Sequence, residues 1–159
     1  MGAPAEGPDP RAEHFRWPVR VYWEDTDAGG IVFYANYLKF FERARTEWLR
    51  TFFHQGQEAM RLAGHGMFVV TETSVRYLRP ARLDDEIIVT VRLSEIGRAS
   101  FGVVQQAWRG ATLLAEGSIR IGWVQSRGDE GLRPARLPAD FVAGLPAVLD
   151  GAQSTHNRA

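Results

Sequence analysis

Residues 21–50 read VYWEDTDAGGIVFYANYLKFFERARTEWLR, and the fold turns on how this stretch divides. Its first part continues an alternation that begins at Trp17. Val19, Val21 and Trp23 fall on one side and Arg20, Tyr22 and Glu24 on the other, the period of a half-buried strand. Extended geometry carried through Asp27 places Asp25 and Asp27 on the apolar side, where a carboxylate without a partner is costly. Gly29-Gly30 then frees the backbone for positive φ and ends the strand. A helix is expected from Tyr34 or Asn36 to His54, with Asn36 suited to N-capping and Gly56 as the stop.

On a helical wheel, Tyr37, Phe40, Phe41, Ala44, Trp48 and Phe52 share one face, widened by Leu38 and Leu49. Lys39, Arg43, Thr46 and Arg50 form a narrow stripe opposite. So wide an apolar arc belongs to a helix surrounded on most sides. Arg45 falls inside it, paired with Glu42 or placed at a subunit contact.

Downstream, a shorter helix is expected over 57–63, ending in Gly64-His65-Gly66. From Met67 the period becomes that of strands. The first runs over Met67–Leu78 and is closed by Arg79-Pro80. The second is the alternation of Ile87, Val89, Val91 and Leu93, stopping before Gly97. Arg98–Trp108 is the third, turned at Arg109-Gly110, and the fourth runs from Leu113 to near Gln125. Short connections between these strands imply antiparallel neighbours. The class is α+β: an antiparallel sheet of five or six strands curled around one long helix. Residues 17–125 form the domain. Residues 1–16, with three prolines and two glycines, read as a mobile tail. Residues 126–159 read as a polar extension with a short helix over 138–145 and disorder after about residue 150.

Lys+Arg and Asp+Glu both number 19, so bulk charge gives no argument for nucleic acid or an anionic membrane. The basic residues are 18 Arg and one Lys, a bias too broad to give any single Arg functional weight. The absence of cysteine removes disulfides, thiolate metal sites and a cysteine nucleophile together. His14, His54, His65 and His156 are scattered, with none at i, i+4 from another, so no zinc site is expected. There is no G-x-S-x-G elbow, phosphate loop or G-x-G-x-x-G. No run approaches the roughly 20 apolar residues of a membrane span, and the first 16 residues hold no apolar core of signal-peptide length. A soluble cytoplasmic protein without metal or redox cofactor is expected.

What remains is Asp25-Thr26-Asp27, followed by two glycines and a helix start. One reading is structural: both aspartates satisfy backbone N–H groups of a tight turn or of the helix terminus. The other is chemical. A helix N-terminus presents unpaired N–H groups and partial positive charge, suited to a carbonyl oxygen that becomes an oxyanion. A carboxylate held a few residues earlier can attack the carbonyl carbon or activate a water. These are the parts for hydrolysing an acyl group with a good leaving group, such as a thioester.

The run D-T-D-A-G-G-I-V-F-Y-A-N-Y-L-K-F-F-E-R-A-R-T-E-W-L from Asp25 strongly resembles the hot-dog-fold acyl-CoA thioesterases of the 4-hydroxybenzoyl-CoA thioesterase type. It looks closest to their Tol-Pal-associated branch. Y-L-R-P-A-R-L-D-D-E at 77–86 and G-R-A-S-F at 97–101 resemble the same branch. The resemblance implies that Asp27 is the catalytic carboxylate and that the backbone N–H of Tyr34 polarises the thioester carbonyl. Gly30, Ile31 and Val32 between them are then expected at the substrate. The branch often has histidine where Tyr34 stands; a backbone role survives that change, whereas proton transfer by a histidine side chain does not. Asp25 is assigned to holding the loop.

Arg98 and Arg127, next to predicted turns, are candidates for the phosphates of coenzyme A through bidentate contacts. The resemblance further implies homodimers formed by sheet extension and paired into tetramers, with acyl-CoA as substrate. A different function class is a non-catalytic partner of acyl carrier protein or of a cell-envelope complex. A hot-dog dehydratase is disfavoured because no histidine stands near a helix start.

Overall fold

The computed structural model describes residues 11, 14–52, 56–62 and 66–146. Six strands and three α-helices are present among them: β1 (Phe15–Arg20), α1 (Asn36–Arg50), α2 (Gly56–Leu62), β2 (Met67–Tyr77), β3 (Glu86–Ile96), β4 (Ser100–Arg109), β5 (Thr112–Ser126), β6 (Leu132–Pro134) and α3 (Ala139–Gly144). The sheet is antiparallel, in the order β1-β3-β4-β5-β2, and the short β6 pairs with the last residues of β5. This is the expected hot-dog arrangement, a curved sheet with one long helix on its inner face.

The alternating apolar residues of the strands point inward. Ile87, Val89, Val91 and Leu93 of β3, Phe101 and Val103 of β4, and Ile119, Ile121 and Trp123 of β5 are buried. They meet Tyr37, Phe40, Phe41, Ala44 and Trp48 of α1, all buried as the helical period requires. Gly117 of β5 lets the helix come close. A Cβ there would stand 2.9 Å from the Phe41 ring.

The long helix is shorter than expected, and Asn36 is its first residue rather than its N-cap. Ala35 holds the cap position and has no side-chain group to cap with, while the Asn36 amide donates to the Asp25 carbonyl at 2.9 Å. His54 and the Gly64-His65 pair lie outside the described residues, as do most of residues 1–16 and the segment after residue 146.

Two readings of the sequence are corrected. The first strand does not continue through Asp27. After Arg20 the chain leaves the sheet and turns at Trp23–Asp25 in a short 3₁₀ helix, which leaves Trp23 80% exposed. The packed unit also runs past residue 125. Phe141 of α3 is fully buried and lies 5.0–5.9 Å, centroid to centroid, from Phe68, Phe101 and Phe52. The aromatic cluster needs that cap, so the polar composition of 126–138 hides an apolar return.

The sheet has two distinct ends. Helix α1 starts beside Tyr77 at the close of β2, with Tyr37 and Tyr77 rings 5.5 Å apart. It finishes beside Phe101 at the opening of β4, 6.1 Å from Trp48. Residues 21–35 and 78–85 therefore occupy one end, and the 97–99 and 127–131 turns the other. No described helix is long and apolar enough to cross a membrane.

Candidate active site

The segment from Asp25 to Asn36 is tied down by its own backbone. Asp25 is buried, and its Oδ2 accepts the Tyr22 N–H at 2.8 Å. Its carbonyl accepts the Phe33 N–H at 3.0 Å and the Asn36 amide at 2.9 Å. The Asp25 carboxylate and carbonyl are both spent on local structure, which explains a carboxylate in a buried place.

Asp27 is different. Its side chain is exposed. The Asp27 N–H donates to the Ile31 carbonyl at 2.9 Å, and the Asp27 carbonyl accepts the Gly30 N–H at 3.0 Å, closing a five-residue loop. One carboxylate oxygen, Oδ1, accepts the Gly29 N–H at 2.8 Å; the other has no protein partner among the described residues. The arrangement fixes the rotamer and leaves an acceptor free for a substrate or a water.

Gly30 takes φ 75° with nothing within 4 Å of where a Cβ would stand. Gly30→Ala is therefore expected to cost only the strain of a left-handed residue, about 1–2 kcal/mol, read as a lowered unfolding midpoint in urea.

Five residues beyond Ile31, α1 begins at Asn36. The Asn36 N–H donates back to the Phe33 carbonyl at 2.9 Å, so the turn starts ahead of α1 itself. Among the described residues the N–H groups of Tyr34 and Ala35 find no acceptor. Unpaired donors of this kind are the positive end of the helix. The Tyr34 ring stands against Phe33 at 4.7 Å and edge-on to Tyr77 at 6.0 Å. Burial, and then the neighbouring Tyr34 hydroxyl, push the Tyr77 phenol above its usual pKa.

The other expected contact residues divide. Gly30 and Ile31 belong to the loop. Val32 is turned into the core, and its N–H is taken by the Ala81 carbonyl at 2.9 Å. Arg98 and Arg127 lie in the turns at the opposite end of the sheet, so one copy of the chain does not bring them to Asp27. No group of three or more His, Asp or Glu among the described residues is arranged to hold a metal ion.

Residues 80–85 form a shelf under the loop. The Leu83 N–H donates to the Gly30 carbonyl at 3.3 Å, and Ile31 bridges to Arg82. The Ala81 N–H donates to the buried Tyr37 hydroxyl at 3.1 Å. Burial pushes that phenol above its ordinary pKa, more than the Ala81 bond lowers it. Asp85 closes the shelf: its Oδ2 accepts the Arg82 N–H at 2.9 Å and Arg109 Nη1 at 2.8 Å. In the sequence, Pro80 and the Asp84-Asp85 pair are the physical signal of a turn in this segment.

Partial burial raises the Asp85 carboxyl, but the Arg82 N–H and the Arg109 guanidinium together hold it below the usual aspartate value. A depressed folded-state pKa stabilises above the unfolded value of about 3.9 and loses that contribution as pH falls. Asp85→Asn is thus expected to be less stable near neutral pH by up to about 1 kcal/mol, since the pair is partly exposed. The two proteins should converge below about pH 3 in parallel thermal melts.

The profile of the thioesterase-like superfamily matches residues 21–145. The chain is 42% identical over 130 residues to the acyl-CoA thioester hydrolase YbgC of Escherichia coli O157:H7, covering 81% of this chain and 93% of that protein. It is 40% identical over 135 residues to the acyl-CoA thioesterase YbgC of Haemophilus influenzae, covering 82% and 93%. Among solved structures, 4-hydroxybenzoyl-CoA thioesterase from Pseudomonas sp. strain CBS-3 superposes with a TM-score of 0.76 at 18% identity, over 83% of this chain and 99% of that one. At that identity the likeness speaks for the fold alone.

Proposed function

The chain belongs to the thioesterase-like superfamily, and from that premise we propose that Asp27 and the Tyr34 N–H carry out its hydrolysis of acyl-CoA thioesters. The products are a free carboxylic acid and CoA. The observation that supports the assignment is the pairing of an exposed, rotamer-fixed carboxylate with unpaired N–H groups at the start of α1.

With the thioester carbonyl oxygen on the Tyr34 N–H, charge developing on that oxygen meets a preorganised donor at the positive end of a helix. The Asp27 carboxylate acts on the carbonyl carbon as nucleophile, or removes a proton from a water that attacks it. Attack by water forms one C–O bond and breaks the C–S bond directly; attack by the carboxylate breaks the C–S bond to leave a mixed anhydride on Asp27, which water then cleaves to the free acid and the regenerated carboxylate. In both routes the CoA thiolate leaves and takes up a proton. The YbgC relatives carry acyl-CoA in their names, and the same substrate class is proposed for this chain.

The reading includes a second copy. Strand β2 is an 11-residue edge, with Val70 49% and Tyr77 45% exposed. The opposite edge, β1, is six residues long and contains Pro18, a common way of protecting an edge. Antiparallel pairing of β2 with β2 of a second copy sets the closing end of one strand beside the opening end of the other. Arg98 and Arg127 of one copy then come to the Asp27 end of its neighbour, where CoA phosphates need cations. A homodimer, or a tetramer of two such pairs, is the assembly this favours.

Purified protein incubated with butyryl-, palmitoyl- and benzoyl-CoA should release free thiol from at least one of them. No turnover across the panel, with acyl carrier protein retained in a pulldown, would instead favour the binding role.

A further inference from the structure

We propose that Arg109 is a positioning residue for this hydrolysis: through Asp85 it clamps the 80–85 shelf on which the Asp27 loop rests. The inference builds on the catalytic reading above. Arg109 ends β4, and among the described residues it makes no hydrogen bond or ion pair with residues 25–34. Its Nη1 donates twice, to the Pro80 carbonyl at 3.1 Å and to Asp85 Oδ2 at 2.8 Å. The same Asp85 oxygen accepts the Arg82 N–H at 2.9 Å. One nitrogen and one oxygen thus pin the first, third and last residues of the shelf together.

The pinned shelf spends its remaining backbone groups on the catalytic segment and its supports. The Ala81 carbonyl takes the Val32 N–H at 2.9 Å, and the Leu83 N–H reaches the Gly30 carbonyl at 3.3 Å. The Ala81 N–H holds Tyr37 of α1. Asp84 and Asp85 exchange backbone bonds with Val21, at 3.1 and 2.9 Å, on the other side of the loop. The shelf therefore grips the loop that carries Asp27 and the helix that carries the Tyr34 donor at once. Asp27 itself has a single side-chain bond, within its own loop. Its placement relative to the helix start comes from backbone alone, and that backbone is held from below.

A residue acting in this way affects the chemical step more than substrate affinity, because a displaced carboxylate loses attack geometry while the rest of the pocket still binds. Both Arg109 contacts come from the same nitrogen, so a lysine ammonium can replace them. Steady-state hydrolysis of the acyl-CoA that turns over fastest among butyryl-, palmitoyl- and benzoyl-CoA tests this in Arg109→Ala, Arg109→Lys, Asp85→Ala and the Arg109→Ala/Asp85→Ala pair. Arg109→Ala is expected to lower kcat about tenfold or more with KM within about twofold, and Arg109→Lys to recover most of the loss. The double variant should lose no more than the larger single loss, since both changes open one clamp.

Unchanged kcat in Arg109→Ala, or a loss of kcat/KM carried mainly by a raised KM with no rescue by lysine, would overturn the proposal. Should Arg109→Ala not fold, Asp85→Ala is held to the same kcat and KM criteria. Wild type and Asp27→Asn are run alongside: absence of turnover in wild type overturns the catalytic reading itself, whereas a normal Arg109→Ala beside an inactive Asp27→Asn overturns only the clamp.

Discussion

Asp27→Asn is expected to lower kcat by about a thousandfold or more, with KM for acyl-CoA changed only slightly. Asparagine is nearly the same size and its Oδ1 still accepts the Gly29 N–H, the one side-chain bond Asp27 makes. The loop therefore keeps its shape. What is lost is the negative charge, and with it both routes of attack: an amide neither adds to a thioester carbonyl nor takes a proton from water. The substituted residue is exposed, so the unfolding midpoint should stay within the small range of surface changes, about 0.5 kcal/mol. Thiol release followed over several CoA thioesters checks the first part and urea unfolding the second. Asp25→Asn is a useful contrast, since Asp25 accepts a backbone N–H in a buried turn and should lose stability as well as rate.

The largest effect on stability is expected at Phe41. Phe41→Ala should cost about 3–5 kcal/mol, the range for deleting a buried aromatic side chain, and shift the urea midpoint accordingly. The ring is fully buried in α1 and sits on Gly117. A glycine has no side chain that can move into the space left behind, so the cavity stays open on that side. The Phe41 carbonyl also accepts Gln105 Nε2 at 2.9 Å, within a buried polar contact that includes Arg45. Burial lowers the Arg45 pKa, opposed by the nearby Glu42 charge. Loss of the ring thus weakens the seat of the helix at whose start the proposed carbonyl donor stands, and activity should fall with stability.

Much of the fold was legible in the order of residues. The alternation Ile87-Val89-Val91-Leu93 and the aromatic face of 37–48 announce a strand and an enclosed helix by period alone, and both packed as read except at Leu38, expected in the apolar arc but 43% exposed. The turn at Trp23–Asp25 was not legible, because Val19, Val21 and Trp23 keep the strand period to the last. The break comes from Asp25, whose carboxylate captures the Tyr22 N–H, and side-chain capture of backbone competes with a ladder without changing the pattern. The return of Phe141 was hidden by the polar residues that precede it.

The site divided in the same way. Asp27 and the helix start are neighbours in sequence, so local reasoning reached them. Arg98 and Arg127 stand next to turns, and that says nothing about which end of a sheet a turn occupies. Arg109 and Asp85 come together from β4 and the end of the β2–β3 connection, a contact visible only after the strands are ordered.

In the proposed geometry a thioester carbonyl sits on the Tyr34 N–H with Asp27 beside it. The infrared stretch of an acyl-CoA isotope-labelled at its thioester carbonyl, bound to Asp27→Asn so that it persists, reads this contact directly. A preorganised donor at a helix N-terminus polarises the carbonyl, so the band is expected at lower frequency than in free acyl-CoA. A bound thioester whose carbonyl band stays at its solution position, with wild type fully active, would contradict the account.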